Sequence, residues 1–503
     1  DHFGLDSCPS NRELPVFTSS RQDPTVVDVG TSSDGIMTLL ASVRHMALAM
    51  VALAVVVISA GWASAQESEA AAESDAAAAA ASADNSATAS NSTTSDRATS
   101  EGPAPADDVR DDPAELQKAM EALPEEVRGD AQTALDRFQE TGKTLAAAML
   151  ALRTDQLRYR NGLEQTPEAA VRFREQRTRT WQLMQEQFTN ALELIRFLPS
   201  IDAARYLVTM VQHRLEHDIY DAETYEAAAR MLDLGQNYQF LFLAAARSAV
   251  VSGEFEAAKN LYDVLNDEGL EEADRRLKYQ LQILEEQYDV EQAAIERTDA
   301  DSLPHIRIET TQGDVLIELF PEAAPSAVTH FRKLVKEGFY DGMDFSAVSQ
   351  NLLAMTGDSS NDGRGNSGEF LIDEHGQEES RPGLRGSVVM AKLPIGEGKF
   401  IEHSGSSQIA ILFLPIPGIS ESQSVIGRVI EGMDVVSRLR RIDPTKKKEQ
   451  GQIQLPPDAV LRAEIVRFGA DLPEPEYVDL QAEVEKAVKA GLLKPKSPDA
   501  PQQ

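Results

Sequence analysis

The run Ile306-Arg-Ile-Glu-Thr-Thr-Gln-Gly-Asp-Val-Leu-Ile-Glu-Leu-Phe320 alternates apolar and polar side chains on either side of Gln312-Gly313. A period of two broken by a glycine-containing turn predicts two half-buried strands joined as a β-hairpin. Pro325 then opens a short amphipathic helix, with Ala327, Val328, Phe331, Leu334 and Val335 at helical spacing. Six further segments follow in order: Glu337-Gly-Phe-Tyr-Asp-Gly-Met-Asp-Phe345, Thr356-Gly-Asp358, Gly363-Arg-Gly-Asn-Ser-Gly368, Asp373-Glu374, Arg385-Gly-Ser-Val-Val-Met-Ala391 and Gly405-Ser-Ser-Gln408. The series closes on Val425-Ile-Gly-Arg-Val-Ile-Glu-Gly-Met-Asp-Val-Val436, so the patterned stretch covers about residues 310–469.

Taken in order, these segments resemble a cyclophilin-type peptidyl-prolyl isomerase domain. The resemblance implies a closed antiparallel β-barrel with two flanking helices at residues 304–470. It also implies a substrate, X-Pro bonds in polypeptides. The barrier to be lowered is the imide resonance, ~18–20 kcal/mol, and no covalent intermediate is needed. Members of the family seat the proline ring in an apolar pocket and hold the flanking backbone. They donate a hydrogen bond to the twisted nitrogen from an arginine in a Phe-His-Arg-Val-Ile-type strand.

Carried over to this sequence, the resemblance is uneven. The strand phenylalanine is Phe345, but the arginine position holds Ala347. The apolar pair that follows is Leu352-Leu353, and the first of two family glutamines is Met355. The second glutamine is retained as Gln408, while the aromatics after it become Ile409 and Ala410. The pocket leucine corresponds to Ile419, the tryptophan position falls on Gly418 and the histidine on Gln423. Lys392 follows Met390-Ala391 where the family commonly has asparagine. The expected seat is therefore Leu352, Leu353, Met355, Ala410, Leu412 and Ile419, with Gln408 holding the peptide backbone. Arg364 and Arg385 are the nearby arginines that could replace the missing donor. Removing one preorganised donor typically costs about 10²–10³ in rate.

Upstream, the 46–60 stretch is an uninterrupted apolar run preceded by Arg44-His45 and followed by Ala63-Ser-Ala65. It is shorter than the ~20 residues of a membrane span and reads as a secretory signal over 37–65, with export to the periplasm or cell envelope, or secretion. Left uncleaved it would be an anchor, the one membrane span expected. Met37 or Met46 reads as the start, leaving 1–36 outside the native product. Residues 66–111 are Ala, Ser, Thr and acidic residues with almost nothing to bury, a disordered spacer. The net charge of −34 disfavours nucleic acid and anionic lipid as partners. Lys446-Lys-Lys448, the one basic run, reads as solvent-exposed. The single cysteine, Cys8, precedes the signal, so the mature chain has no thiol chemistry and no disulfide.

Residues 112–301 carry helical spacing throughout, with Asp112-Pro113 and Thr166-Pro167 as cap-and-start pairs. Ala249-Val-Val-Ser-Gly-Glu-Phe-Glu-Ala-Ala-Lys-Asn-Leu-Tyr262 resembles one tetratricopeptide hairpin. Both a plain bundle and a concave partner-binding surface fit this all-α domain. His213 and His217 stand at i, i+4 but lack a third ligand, and neither metal nor cofactor is expected. Residues 471–503 read as an acidic Pro-rich linker and one short helix. Two functions follow: an exported isomerase slowed by Ala347, or an impaired proline-peptide-binding scaffold whose helical domain takes protein partners.

Overall fold

The computed structural model describes residues 110–160, 166–361, 365–396, 399–443 and 456–493. Cys8, the apolar run at 46–60, nearly all of the spacer, Arg364 and Lys446 to Lys448 lie outside the described residues.

The first region is helical: α1 (Pro113–Ala122), α2 (Glu125–Arg160), α3 (Pro167–Phe197), α4 (Ile201–Glu216), α5 (Ala222–Asp233), α6 (Gln239–Val251), α7 (Phe255–Val264), α8 (Glu272–Tyr279) and α9 (Leu281–Arg297). Asp112, Thr166, Ser200 and Asp221 each accept a backbone N–H from the first turn of the helix they precede, which satisfies donors with no intrahelical partner. Helices α2 and α3 run antiparallel: Asn190 donates to Thr141 at 3.0 Å, and farther out Gln176 donates to the Ala148 carbonyl at 3.3 Å. The α6–α7 turn needs Gly253, whose φ of +82° disfavours any residue with a Cβ.

The second region is a sheet of eight antiparallel strands, in the order β11 (Val460–Arg467), β1 (His305–Thr310), β2 (Gly313–Leu319), β10 (Val425–Glu431), β6 (Ser387–Met390), β9 (Ile409–Leu412), β4 (Leu353–Thr356) and β3 (Ala347–Ser349). The hairpin expected around Gln312-Gly313 is β1 (His305–Thr310) and β2 (Gly313–Leu319). After it come α10 (Pro325–Lys336), β3 (Ala347–Ser349), β4 (Leu353–Thr356), β5 (Phe370–Leu371), β6 (Ser387–Met390), β7 (Pro394–Gly396), β8 (Lys399–Phe400), β9 (Ile409–Leu412), β10 (Val425–Glu431), α11 (Met433–Ser437), β11 (Val460–Arg467), β12 (Tyr477–Val478) and α12 (Leu480–Lys489). Val328, Phe331, Leu334 and Val335 of α10 enter the same core as Ile306, Ile317, Phe345, Val388 and Ile411 of the sheet.

The sheet curls without closing into the expected barrel. Its edge strands β3 and β11 are not neighbours; the segment before β3 meets the start of β11 through a bridge, Asp344 to Ala459, with Gly342 N and Phe345 N donating to the Val460 and Asp458 carbonyls and Val460 N to the Met343 carbonyl, each at 2.8 Å. Strand β3 is three residues long, and it pairs with β4 and, through Val348, with Ile442 rather than with β11. The tail holds a strand that its composition did not suggest, since β12 pairs with β5.

The two regions share buried surface. Leu414 of the sheet region is fully buried in a cluster with Tyr220, Phe255, Tyr262, Leu277 and Leu284 of the helices. Polar contacts cross the same boundary, among them Trp181 Nε1 to Asp434 Oδ2 at 2.6 Å and Arg381 Nη2 to Thr298 Oγ1 at 3.1 Å.

Candidate functional site

Side chains alternate faces along a strand, and this rule sorts the candidate residues. Val348, Ala354, Ile411 and Val388 face the main core. Their neighbours Ala347, Met355, Ala410 and Val389 are cross-strand partners in one row on the other face, because Ala347 pairs with Met355, Met355 with Ala410, and Ala410 with Val389. Ala347, Met355, Ala391 and Ala410 form a small buried cluster there, with Leu353 packed against it. Beside it, Leu412, Val389, Phe320, Ala323 and Val425 make a second cluster, against which Leu353, Ile416 and Ile419 also pack. Five of the six expected seat residues, Leu353, Met355, Ala410, Leu412 and Ile419, thus fall in two adjoining clusters linked by Leu353. Leu352 is buried outside both. Phe345 and Met390 belong to the main core instead.

The cluster is closed: Ala347 is 5% exposed, Met355 6%, Ala391 8% and Ala410 4%. Its apolar character follows from the sequence, since each position holds a side chain with no donor to offer.

Gln408 stands next to this row, and a loop determines what its amide does. Asp358, fully buried, accepts from Ser360 N at 3.0 Å and from Gly365 N at 2.6 Å, which holds both residues beside its carboxylate. The Gly365 carbonyl then receives Gln408 Nε2 at 2.9 Å. Gly357 makes the crossing possible. Its φ is +89°, and a Cβ there would lie 2.1 Å from the Ser407 carbonyl oxygen. Tyr340 of the Gly-Phe-Tyr-Asp segment donates to that same Ser407 oxygen at 2.8 Å. Likewise Glu374 serves the scaffold: its carboxylate accepts from Ser326 N at 2.8 Å and Ala327 N at 2.9 Å, capping α10.

No free cation among these residues faces the cluster. Lys392 is 5% exposed and donates to Asp373 Oδ2 at 2.5 Å, with His375 Nε2 at 3.3 Å. Arg385, one of the two arginines that could have replaced the donor, gives Nη1 to the Phe413 carbonyl at 2.7 Å and Nη2 to Ser437 at 3.3 Å. Its guanidinium lies 5.2 Å from the Tyr220 ring of the helical region, and burial lowers its pKa. Gln423 is buried, and its backbone N–H bonds the Ile419 carbonyl at 2.9 Å.

Among the described residues no group of three or more His, Cys, Asp or Glu side chains could hold a metal. His213 and His217 lie with ring centroids 4.0 Å apart and planes tilted by 36°, and burial lowers the pKa of His213 to about 4. No described helix is long and apolar enough to cross a membrane.

Residues that the sequence reading passed over surround the turn between β3 and β4. Asn351 there bonds Asp218, Tyr220 and Arg247 of the helical region. The available signal was Arg247, a lone charge within the apolar helix Gln239–Val251.

A family model described as cyclophilin type peptidyl-prolyl cis-trans isomerase/CLD matches residues 305–463. The chain is similar to a peptidyl-prolyl cis-trans isomerase-like 2 of Gibberella zeae, 35% identical over 139 residues, covering 27% of this chain and 23% of that one. It thus spans less than a quarter of that relative's length. A probable peptidyl-prolyl cis-trans isomerase of Brucella suis is 30% identical over 175 residues, covering 33% of this chain and 84% of the relative. Of solved structures, a cyclophilin from Hirschia baltica matches 34% of this chain and 75% of its own at 24% identity, with a TM-score of 0.27.

Proposed function

The chain belongs to the cyclophilin-type peptidyl-prolyl cis-trans isomerase family, and on that premise we propose that it binds X-Pro segments of polypeptides and isomerises them slowly. The observation that carries this reading is Ala347. It occupies the position of the donating arginine, within an apolar row whose other members, Met355 and Ala410, donate nothing. A proline ring asks only for apolar walls, which Leu353, Met355, Ala410, Leu412 and Ile419 provide. Rate enhancement asks in addition for a donor to the twisted nitrogen, and removing such a group costs about 10²–10³. Gln408 is retained, and one of its amide donors is taken by the Gly365 carbonyl, which fixes the orientation in which it would meet a peptide.

The test uses the full chain and an Ala-Pro-containing peptide, with cis–trans exchange followed by NMR and binding by fluorescence anisotropy. Saturable binding with weak acceleration supports the reading. Fast catalysis indifferent to substitution of Met355 and Gln408 would overturn it. The burial of the cluster favours one other reading, a scaffold with a filled seat, which absence of binding would support.

We further propose that the protein is exported, on the strength of the apolar run at 46–60 and the Ala63-Ser-Ala65 site. N-terminal sequencing of the native protein tests this; an end before residue 46 would refute cleavage. The helical region is proposed to add contacts to client proteins, its α6–α7 hairpin being the unit with tetratricopeptide-like character.

A further inference from the structure

Strand β3 carries Ala347 and is the edge of the sheet, with β4 as its one strand neighbour. Three residue pairs join it to β4. An edge strand so short depends on what holds its ends. At one end stands the turn Gln350-Asn351, which leads to Leu352, Leu353 and Met355. Asn351 adopts φ +61°, a left-handed conformation uncommon outside glycine. The helical region meets each of its polar groups. Asn351 N donates to Asp218 Oδ1 at 3.0 Å, and Nδ2 donates to Glu271 Oε2 at 3.2 Å. Asn351 Oδ1 accepts from Arg247 Nη1 at 2.7 Å and from Tyr220 OH at 3.1 Å, while the carbonyl accepts from Arg276 Nη2 at 3.4 Å.

The groups doing the holding are themselves fixed. Arg247 is 2% exposed and grips the fully buried Asp274 with two bonds, 2.7 and 2.5 Å. Asp218, fully buried, reaches the other side of β3 as well. Its Oδ2 accepts from Arg441 Nη2 at 2.6 Å, and its carbonyl accepts from Ser437 Oγ at 2.9 Å. Arg441 precedes Ile442, which exchanges both backbone bonds with Val348 of β3, at 2.9 and 3.0 Å. One aspartate therefore ties down both the turn that follows β3 and the segment that pairs along it.

We propose that the helical region is a brace for the proline seat, in which Asp218, Tyr220 and Arg247 act as positioning residues for X-Pro binding through Asn351. The inference rests on the proline-binding reading above. Its thermodynamic content is reciprocal: if the brace favours the binding-competent hairpin, bound peptide must in turn tighten the brace. A network that merely joins two regions would carry no such linkage.

The decisive variant is Asn351→Gly in the full chain. Glycine accepts the left-handed φ, so the three side-chain bonds are removed without adding backbone strain. Arg247→Met is the companion, and where it fails to fold the glycine variant stands alone. Binding of a fluorescein-labelled Ala-Pro peptide is measured well below each variant's Tm, and amide exchange is followed at Val348, Ala354 and Met355 against Ile308 and Ile317. The expected result is a tenfold or greater loss of affinity, with exchange accelerated in β3–β4 and unchanged in β1–β2. A lowered Tm with unchanged affinity would show that the network is only glue and would overturn the inference alone. A wild-type chain that binds no proline peptide would remove the functional reading and this inference with it, and the two failures are told apart by the wild-type measurement.

Discussion

Sequence comparison by itself suggests that Arg at position 347 would restore a fast catalyst; the burial of Ala347 argues for two substitutions. The side chain at 347 is 5% exposed and lies directly across from Met355, itself 6% exposed. Cross-strand partners have Cβ atoms about 4.5–5.5 Å apart, so an arginine at 347 meets the Met355 thioether at once. Overpacking of this kind costs about 1–3 kcal/mol, and a desolvated guanidinium without a partner costs several more. Ala347→Arg alone should therefore lower stability by about 3 kcal/mol or more and leave isomerisation unchanged. Pairing it with Met355→Gln supplies an acceptor on the facing strand and returns the first family glutamine. The double variant should recover stability relative to the single and accelerate exchange of an X-Pro peptide by about 10²–10³, the range for one preorganised donor. Urea unfolding and NMR exchange measurements read both quantities. A single variant that gains the full rate with no loss of stability would refute the closed cluster. A double variant that binds peptide and stays slow would refute the role assigned to position 347.

Other expectations follow from the same geometry. Gly357→Ala places a Cβ 2.1 Å from the Ser407 carbonyl at φ +89°, and should destabilise by about 3 kcal/mol in urea titrations; a change below about 1 kcal/mol would mean the crossing of β4 and the Ser407 segment is loose. Burial, with Lys333 reinforcing it and the Glu369 carboxylate opposing it, lowers the pKa of His330 to about 4 from 6.5. The unfolded chain then binds more protons between those values, so stability is complete above about pH 6.5 and falls as the pH drops toward 4, by up to about 3 kcal/mol. Thermal melts across that window should show the loss, and His330→Gln should flatten it. Glu374→Ala removes both acceptors at the start of α10 and should cost about 1–2 kcal/mol by urea unfolding.

The legible parts of the chain were those decided by local chemistry. Asp112 and Thr166 act as the expected caps because a short oxygen-bearing side chain before a helix-starting proline serves the first-turn N–H groups. The β1–β2 hairpin was equally plain, because a one-residue slip would turn every apolar side chain to solvent. Ala347, Met355 and Ala410 could be singled out from the sequence, whereas their meeting in one row depends on the β3–β4 and β4–β9 registers. Barrel closure was not decidable locally, since it depends on which segments, far apart in sequence, lie beside the edge strands β3 and β11. The β5–β12 pairing was hidden for a similar reason. Tyr477 looked like part of an acidic tail until its hydroxyl met His330 at 3.1 Å.

The sheet-to-helix boundary bears on how the helical region should be regarded. Its polar contacts are built from arginines of each side. Arg381 and Arg428 of the sheet region share the Glu291 carboxylate of α9 at 3.3 and 3.4 Å. Arg441 reaches Asp218, and Arg438 lies 4.6 Å from the Trp181 ring. From the other direction Arg247 reaches Asn351, and Arg177 reaches the Thr311 carbonyl. Glu291, Asp218, Asp274, Arg247 and Arg381 are all buried. Separating the regions would break these polar contacts and expose the apolar cluster of Leu414 with Tyr220, Phe255 and Tyr262, so the two regions pack as one unit. A partner or client recruited by the helices must use surface that the sheet leaves free. Any effect it has on the proline seat must then pass through packed contacts such as Asp218 to Asn351, which makes the brace the shortest route from one region to the other.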